Sequence, residues 1–160
     1  MEQIIGEPMY LMSIRPQYSR MIFAGIKKYE LRKLSGGPLI EEGAVIIVYS
    51  SGKVKSIIGE FRAGRVIVGT PEKIWSIVRQ PGTGIRDDAW PYVRGAKRAM
   101  AIEVVEPRLY RRPVTLEEIR RIIPGWMPPF SYRRLREGDK TYELLIKRIR
   151  GEFLGENIEF

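Results

Sequence analysis

The chain has 160 residues, with 28 Lys+Arg against 19 Asp+Glu, a formal charge of +9, and neither histidine nor cysteine. Those absences exclude a Ser-His-Asp or Cys-His triad, a zinc finger, an HExxH site, a haem ligated through these residues and any disulfide. Acid–base chemistry falls to Lys, Glu, Asp or Tyr, whose ordinary pKa values lie far from neutrality, so a catalyst here needs a strongly shifted group.

In chain order, Tyr10 to Ile14 predicts a short strand, and Pro16 suits the first turn of a helix carrying Tyr18, Met21, Ile22 and Ala24 until Gly25 ends it. Lys28 to Leu34 alternates as a half-buried strand, Tyr29 and Leu31 toward the core and Glu30 and Arg32 on a polar face that is a candidate site. Val45 to Tyr49 is nearly continuous apolar, as in a strand covered on both faces. Residues 55 to 68 read as long or broken strands, with Gly59 and Gly64 at bulges that curl a sheet until it closes on itself.

Thr70-Pro71 provides an N-cap and a first-turn proline for a helix through Ile74, Ile77 and Val78. Asp87 to Val93 predicts a short helix, with Asp87 and Asp88 at its N-terminus rather than a metal pair. Ala99 to Val105 alternates as a strand, and Val114 ends another. Thr115-Leu116-Glu117-Glu118 fits a capping box for a helix ending near Pro124. After the stop at Pro128-Pro129, Tyr142, Leu145, Ile146, Ile149 and Phe153 recur at helical offsets, and packing on the sheet is the common fate of such an amphipathic helix.

One domain over 1–160 is expected at this length. No apolar run approaches the ~20 residues that span a bilayer, and the opening residues lack the basic start of a secretory signal, so a cytoplasmic location without membrane contact is expected. Arginine outnumbers lysine 19 to 9. Guanidinium forks suit phosphates, although dense ion pairing in a heat-adapted protein gives the same surplus.

The segment Gly25-Ile26-Lys27-Lys28-Tyr29-Glu30-Leu31-Arg32 contains the pattern GxKxxExR. With Leu11-Met12-Ser13-Ile14-Arg15-Pro16 before it, and Tyr49-Ser50-Ser51 and Ile58-Gly59-Glu60-Phe61 after it, the chain resembles the ASCH domain, a branch of the PUA-like β-barrel superfamily. The resemblance covers about residues 9–106 and, more loosely, 128–135. It implies an α+β fold: a small mixed barrel of about five to six strands with flanking helices, residues 107–160 forming a C-terminal extension. It further implies RNA or modified-nucleoside binding beside the motif, with a regulatory role in prospect. Some relatives hydrolyse the amide of N4-acetylcytidine and others have been assigned nuclease activity, so Lys27, with Glu30, is the catalytic candidate on an amidohydrolase reading. The deacetylating relatives carry threonine where this chain has Glu30, and a carboxylate there keeps a lysine charged, which favours binding over catalysis. The separate catalytic glutamate of those relatives has only Glu60 and Glu72 as candidates here. No metal or cofactor is expected.

Glu30 and Arg32 lie about 6–7 Å apart along one strand face, so both can address one group: Arg32 a phosphate or carbonyl, Glu30 an exocyclic amine. Lys27 has the opposite parity and joins them only from the turn before the strand or at a bulge. A purely structural pairing of these charges, knitting the barrel, is the competing reading. Ser13 and Arg15 flank the first helix turn as a phosphate contact. Tyr49 and Ser50 either line the cleft or pack in the core. Ser131-Tyr132-Arg133-Arg134 reads either as an RNA-stacking contact led by Tyr132 and Arg133 or as a capped helix start. Arg111-Arg112, Arg120-Arg121 and Lys147-Arg148 with Arg150 form a basic stripe only if folding brings them together.

Overall fold

The computed structural model describes residues 7–154, and side-chain surroundings as far as Arg148; the expected helical positions Ile149 and Phe153, and Arg150, lie outside the described side chains. Six strands form one mixed sheet: β1 (Met9–Ile14), β2 (Tyr29–Leu34), β3 (Val45–Ser50), β4 (Ser56–Gly69), β5 (Arg98–Thr115) and β6 (Tyr132–Leu135). Their spatial order is β2-β5-β4-β3-β1-β6. The β1–β3 pair is parallel and every other pair antiparallel. Helices α1 (Pro16–Phe23), α2 (Pro71–Val78), α3 (Trp90–Val93), α4 (Leu116–Ile122) and α5 (Lys140–Leu154) flank the sheet.

Burial explains why the strands read as they do. All six residues of β3 are buried. Ile46 and Val48 join Tyr10, Met12, Phe61, Met100 and Ile102 inside the curl. Val45, Ile47 and Tyr49 face outward into a second core with Trp126, Leu144 and Leu145. A third core sets Tyr29, Leu31, Ala99 and Ala101 against Ile74 and Val78 of α2 and Val93 of α3. Thr70 and Thr115 cap α2 and α4, each hydroxyl accepting from the backbone N–H three residues on. In α1, Ile22 is buried and Ala24 exposed, so the inward stripe is Ser19, Ile22 and Phe23 rather than one reaching Ala24.

The curl comes from β4 and β5, whose register shifts three times: at Ile57/Gly59, Glu60/Arg62 and Ala63/Val66. A Cβ on Gly59 would stand 2.4 Å from the Arg108 carbonyl oxygen and 2.8 Å from the Phe23 ring, so only glycine permits that approach. The two strands expected between Ala99 and Val114 are one. Glu106, at φ +51°, and Pro107 sit opposite the Glu60/Arg62 shift, where a missing N–H disrupts no ladder bond, so the strand bends without ending.

Residues 132–135, for which a helix start was one reading, instead form an edge strand antiparallel to β1. Residues beyond 106 therefore contribute sheet as well as helix. The curl stops short of full closure: among the described residues no ladder joins β2 to β6, which remain the two edges of a half-barrel.

Candidate functional site

The β2–β5 register sets Glu30 opposite Ile102 and Arg32 opposite Met100, both interior residues. The polar face of β2 thus points into the curl, and the first four residues of the strand are buried, where alternation had suggested one open face. Lys27 precedes β2 in the turn after α1, its N–H bonded to the Met21 carbonyl and that of Lys28 to the Thr83 carbonyl. Placed in a turn, its side chain is released from strand parity.

These three charges converge. The Lys27 ammonium donates to Glu30 Oε1. Arg32 donates through Nε and pairs through Nη2 with Glu30 Oε2, at 2.9 and 2.8 Å. All are buried: Lys27 is 8%, Glu30 4% and Arg32 7% exposed. Burial by itself would raise the Glu30 carboxyl, but the charges and hydrogen bonds of Lys27 and Arg32 outweigh it and hold Glu30 below the usual carboxylate range. Two cations on one carboxylate leave the cluster a single net positive charge.

Arg32 also spans the open seam. Its Nη2 donates to the Ser13 carbonyl at 2.7 Å and its Nη1 to Ser131 Oγ at 3.1 Å, tying β2 to β1 and to the residue entering β6. Lys27 lines a pocket of about 240 Å³ that Glu30 and Arg32 do not line, together with Tyr18, Arg20, Met21, Ile85, Arg86 and Asp88. Its ammonium sits 5.3 Å from the Tyr18 ring centroid. One wall is the 83–85 loop, where a Cβ on Gly84, at φ +75°, would fall 2.2 Å from the Ile26 carbonyl oxygen. Cationic tips, a tyrosine ring and apolar walls together suit a flat polar heterocycle carrying acceptors.

The remaining expected residues are distributed elsewhere. Ser13 donates from Oγ to the Pro129 carbonyl at 2.7 Å and from N–H to the Ser131 carbonyl at 2.9 Å, fixing the loop before β6. Arg15 is exposed at the N-cap of α1, with no side-chain cap. Tyr49 is 3% exposed, its ring 6.0 Å from that of Trp126, and Ser50 shares a buried hydrogen bond with Ser19. The Tyr132 hydroxyl donates to the Pro38 carbonyl while its ring meets Tyr10 edge-on, and Arg133 pairs with Asp139 at 2.6 Å. Glu60 accepts from Tyr110 and Arg108, and Glu72 opens α2. In the basic stripe, Arg148 is buried, donating to the Arg112 and Pro113 carbonyls.

Sequence reasoning missed Arg20, Arg86 and Asp88, whose place in the pocket depends on α1 meeting the loop before α3. It also missed a wider open groove of about 580 Å³ between the β3–β4 turn and α4, where Lys53, Lys55, Arg120 and Arg121 face one carboxylate, Glu117. Arg120 and Arg121 belong to the basic stripe named from sequence, but their meeting with Lys53 and Lys55, far earlier in the chain, carries no sequence signature. Among the described residues no group of three acidic side chains is placed to hold a metal ion, and no helix is long and apolar enough to cross a membrane.

The described residues form a curled mixed sheet, a half-barrel with flanking helices and a charged motif turned into its seam. No protein-family model matches the chain. In sequence it is similar to the ASCH domain-containing ribonuclease of Zymomonas mobilis subsp. mobilis, 26% identical over 135 residues, 84% of this chain and 88% of that one. In structure it is similar to the crystal structure of ASCH from Zymomonas mobilis, with a TM-score of 0.72 at 24% identity over 86% of this chain and 94% of that one. A serine-to-alanine variant of the same protein gives a TM-score of 0.73 at 24% identity, covering 87% and 95%. The N-terminal domain of Staphylothermus marinus McrB gives 0.57 at 19% identity, covering 88% and 93%. The fold matches that of the ASCH structures.

Proposed function

We propose that this protein binds RNA and seats one base or nucleoside in the pocket beside Lys27. The observation that carries the reading is the position of Lys27: it lines a 240 Å³ pocket, its ammonium 5.3 Å from the centroid of the Tyr18 ring that lines the same pocket and backed by a carboxylate that Arg32 holds in turn. An ammonium so placed is an oriented hydrogen-bond donor for a carbonyl or ring nitrogen. Arg20 and Arg86 add positive charge at the pocket, and the overall charge of +9 favours approach of a polyanion. The ribonuclease name of the Zymomonas relative supports RNA as the ligand class.

The test is anisotropy of a labelled single-stranded RNA at several salt concentrations. Binding is expected to weaken steeply with salt, and Lys27→Met to lower affinity about tenfold or more, the worth of a hydrogen bond to a charged group. A loss no greater than that from Lys97→Met, an exposed lysine outside the pocket lining, overturns the pocket assignment. Lys27-dependent release of cytidine from N4-acetylcytidine would replace binding with the amidohydrolase reading.

A further inference from the structure

Phe130 is fully exposed, while the loop that carries it is fastened on both sides. Trp126 is buried and its indole N–H donates to Thr141 Oγ1 at 2.8 Å. Arg120 Nε donates to the Trp126 carbonyl at 3.0 Å. Immediately before Phe130, the Pro129 carbonyl accepts from Ser13 Oγ; immediately after it, Ser131 is held by the Ser13 N–H and by Arg32. Pro128 and Pro129 restrict the backbone further. A phenyl ring is thus presented to solvent from a backbone whose ordering entropy is already spent in folding, the condition under which an aromatic contact yields most of its binding free energy.

The loop that carries the ring borders a cationic groove, and that groove selects the partner. Met127, 67% exposed, lies against Arg120 Nη2 through its sulfur at 3.3 Å. Arg120 in turn lines the groove of Lys53, Lys55 and Arg121, in which four cations face the single carboxylate of Glu117. A protein interface core is depleted of charge, whereas an aromatic ring beside a cationic channel is how single-stranded nucleic acid is held without sequence preference. Lys55 is fixed at φ +48°, a conformation few side chains adopt, its carbonyl accepting from the Leu116 N–H and so joining the β3–β4 turn to α4 across the groove.

We propose that Phe130 is a stacking platform for one base of a single-stranded RNA whose backbone runs along the Lys53, Lys55, Arg120 and Arg121 groove. The proposal rests on the RNA-binding reading above and adds a second contact that does not use Lys27.

The experiment titrates wild type, Phe130→Ala and Phe130→Trp with a short labelled oligouridylate and with its abasic counterpart. Phe130→Ala is expected to bind the oligouridylate about tenfold more weakly, the range of one base–aromatic stack, with an unchanged salt slope. Phe130→Trp keeps the affinity, and all three proteins bind the abasic strand alike. An oligouridylate affinity untouched by Phe130→Ala overturns the platform, as does an equal loss for the abasic strand. If wild type binds neither strand, the RNA reading itself falls and the platform with it. Thermal unfolding of the alanine variant is expected to match wild type, since the ring contributes no burial to the fold.

Discussion

Replacing Arg32 by alanine removes the group that both neutralises Glu30 and bridges the open seam. Glu30, 4% exposed, is then left with Lys27 as its sole countercharge. Breaking a buried ion pair from one side costs about 3–5 kcal/mol, and the compensation that Lys27 keeps places this case at or below the lower end, about 2–3 kcal/mol. The bonds to the Ser13 carbonyl and Ser131 Oγ add about 0.5–1.5 kcal/mol each. The sum is about 4 kcal/mol, a fall in Tm of about 8–16 °C for a chain of this length. Urea unfolding followed by circular dichroism measures it, with wild type and variant compared at equal slope so that the midpoint shift reads stability. Glu30→Gln in the Arg32→Ala background is expected to cost further stability, because the Lys27 ammonium is then buried without a carboxylate. Arg32→Lys keeps a cation but loses the fork, and should fall between wild type and Arg32→Ala. A loss below about 1 kcal/mol for Arg32→Ala, or a gain from the second substitution, refutes the assignment of Arg32 as the seam's clamp.

Two further outcomes follow from the same geometry. Because Glu30 is held below its ordinary value, its contribution to stability is complete above the unfolded glutamate value of about 4.3 and is lost as pH falls through the folded value. Urea midpoints measured down through the acid range should therefore drop less steeply in Glu30→Gln than in wild type, with Asp139, also lowered, still contributing; identical pH profiles would contradict the linkage. Gly59→Ala places a methyl 2.4 Å from the Arg108 carbonyl and is expected to destabilise by about 3 kcal/mol or more, read as a collapse of soluble yield or a lowered unfolding midpoint, whereas an unchanged midpoint would show that the bend is not sterically fixed.

The periodic parts of the fold were legible from sequence because they follow local rules. Tyr29 and Leu31 alternate with Glu30 and Arg32, Thr70-Pro71 and Thr115 carry their caps, and Gly59 and Gly64 mark bends. What alternation cannot show is that the second face of β2 is also covered, since that depends on β1 and on the chain entering β6, about 100 residues downstream. The four residues of β6 are too few to establish a period, and Pro107 disguised β5 as two strands because a bulge tolerates it. Lys27 was placed with Glu30 and Arg32 on motif grounds; the turn at 25–28 supplies the geometric reason. Phe130 carried no signal beyond its neighbouring prolines, because exposure is a property of the folded surface and not of local pattern.

The manner in which the half-barrel is sealed has a bearing on its mechanics. Adjacent strands joined by backbone ladders slip only in whole-residue steps that turn every side chain over. Across the β2–β6 gap no ladder forms among the described residues, and the join includes a planar cation gripping a carboxylate, a carbonyl and a hydroxyl. Such a fastening can lengthen or tilt by fractions of an ångström without re-registering either strand. The β2 edge can therefore yield against its neighbours across the seam, while the opposite wall, where β3, β4 and β5 are laddered together, is stiff.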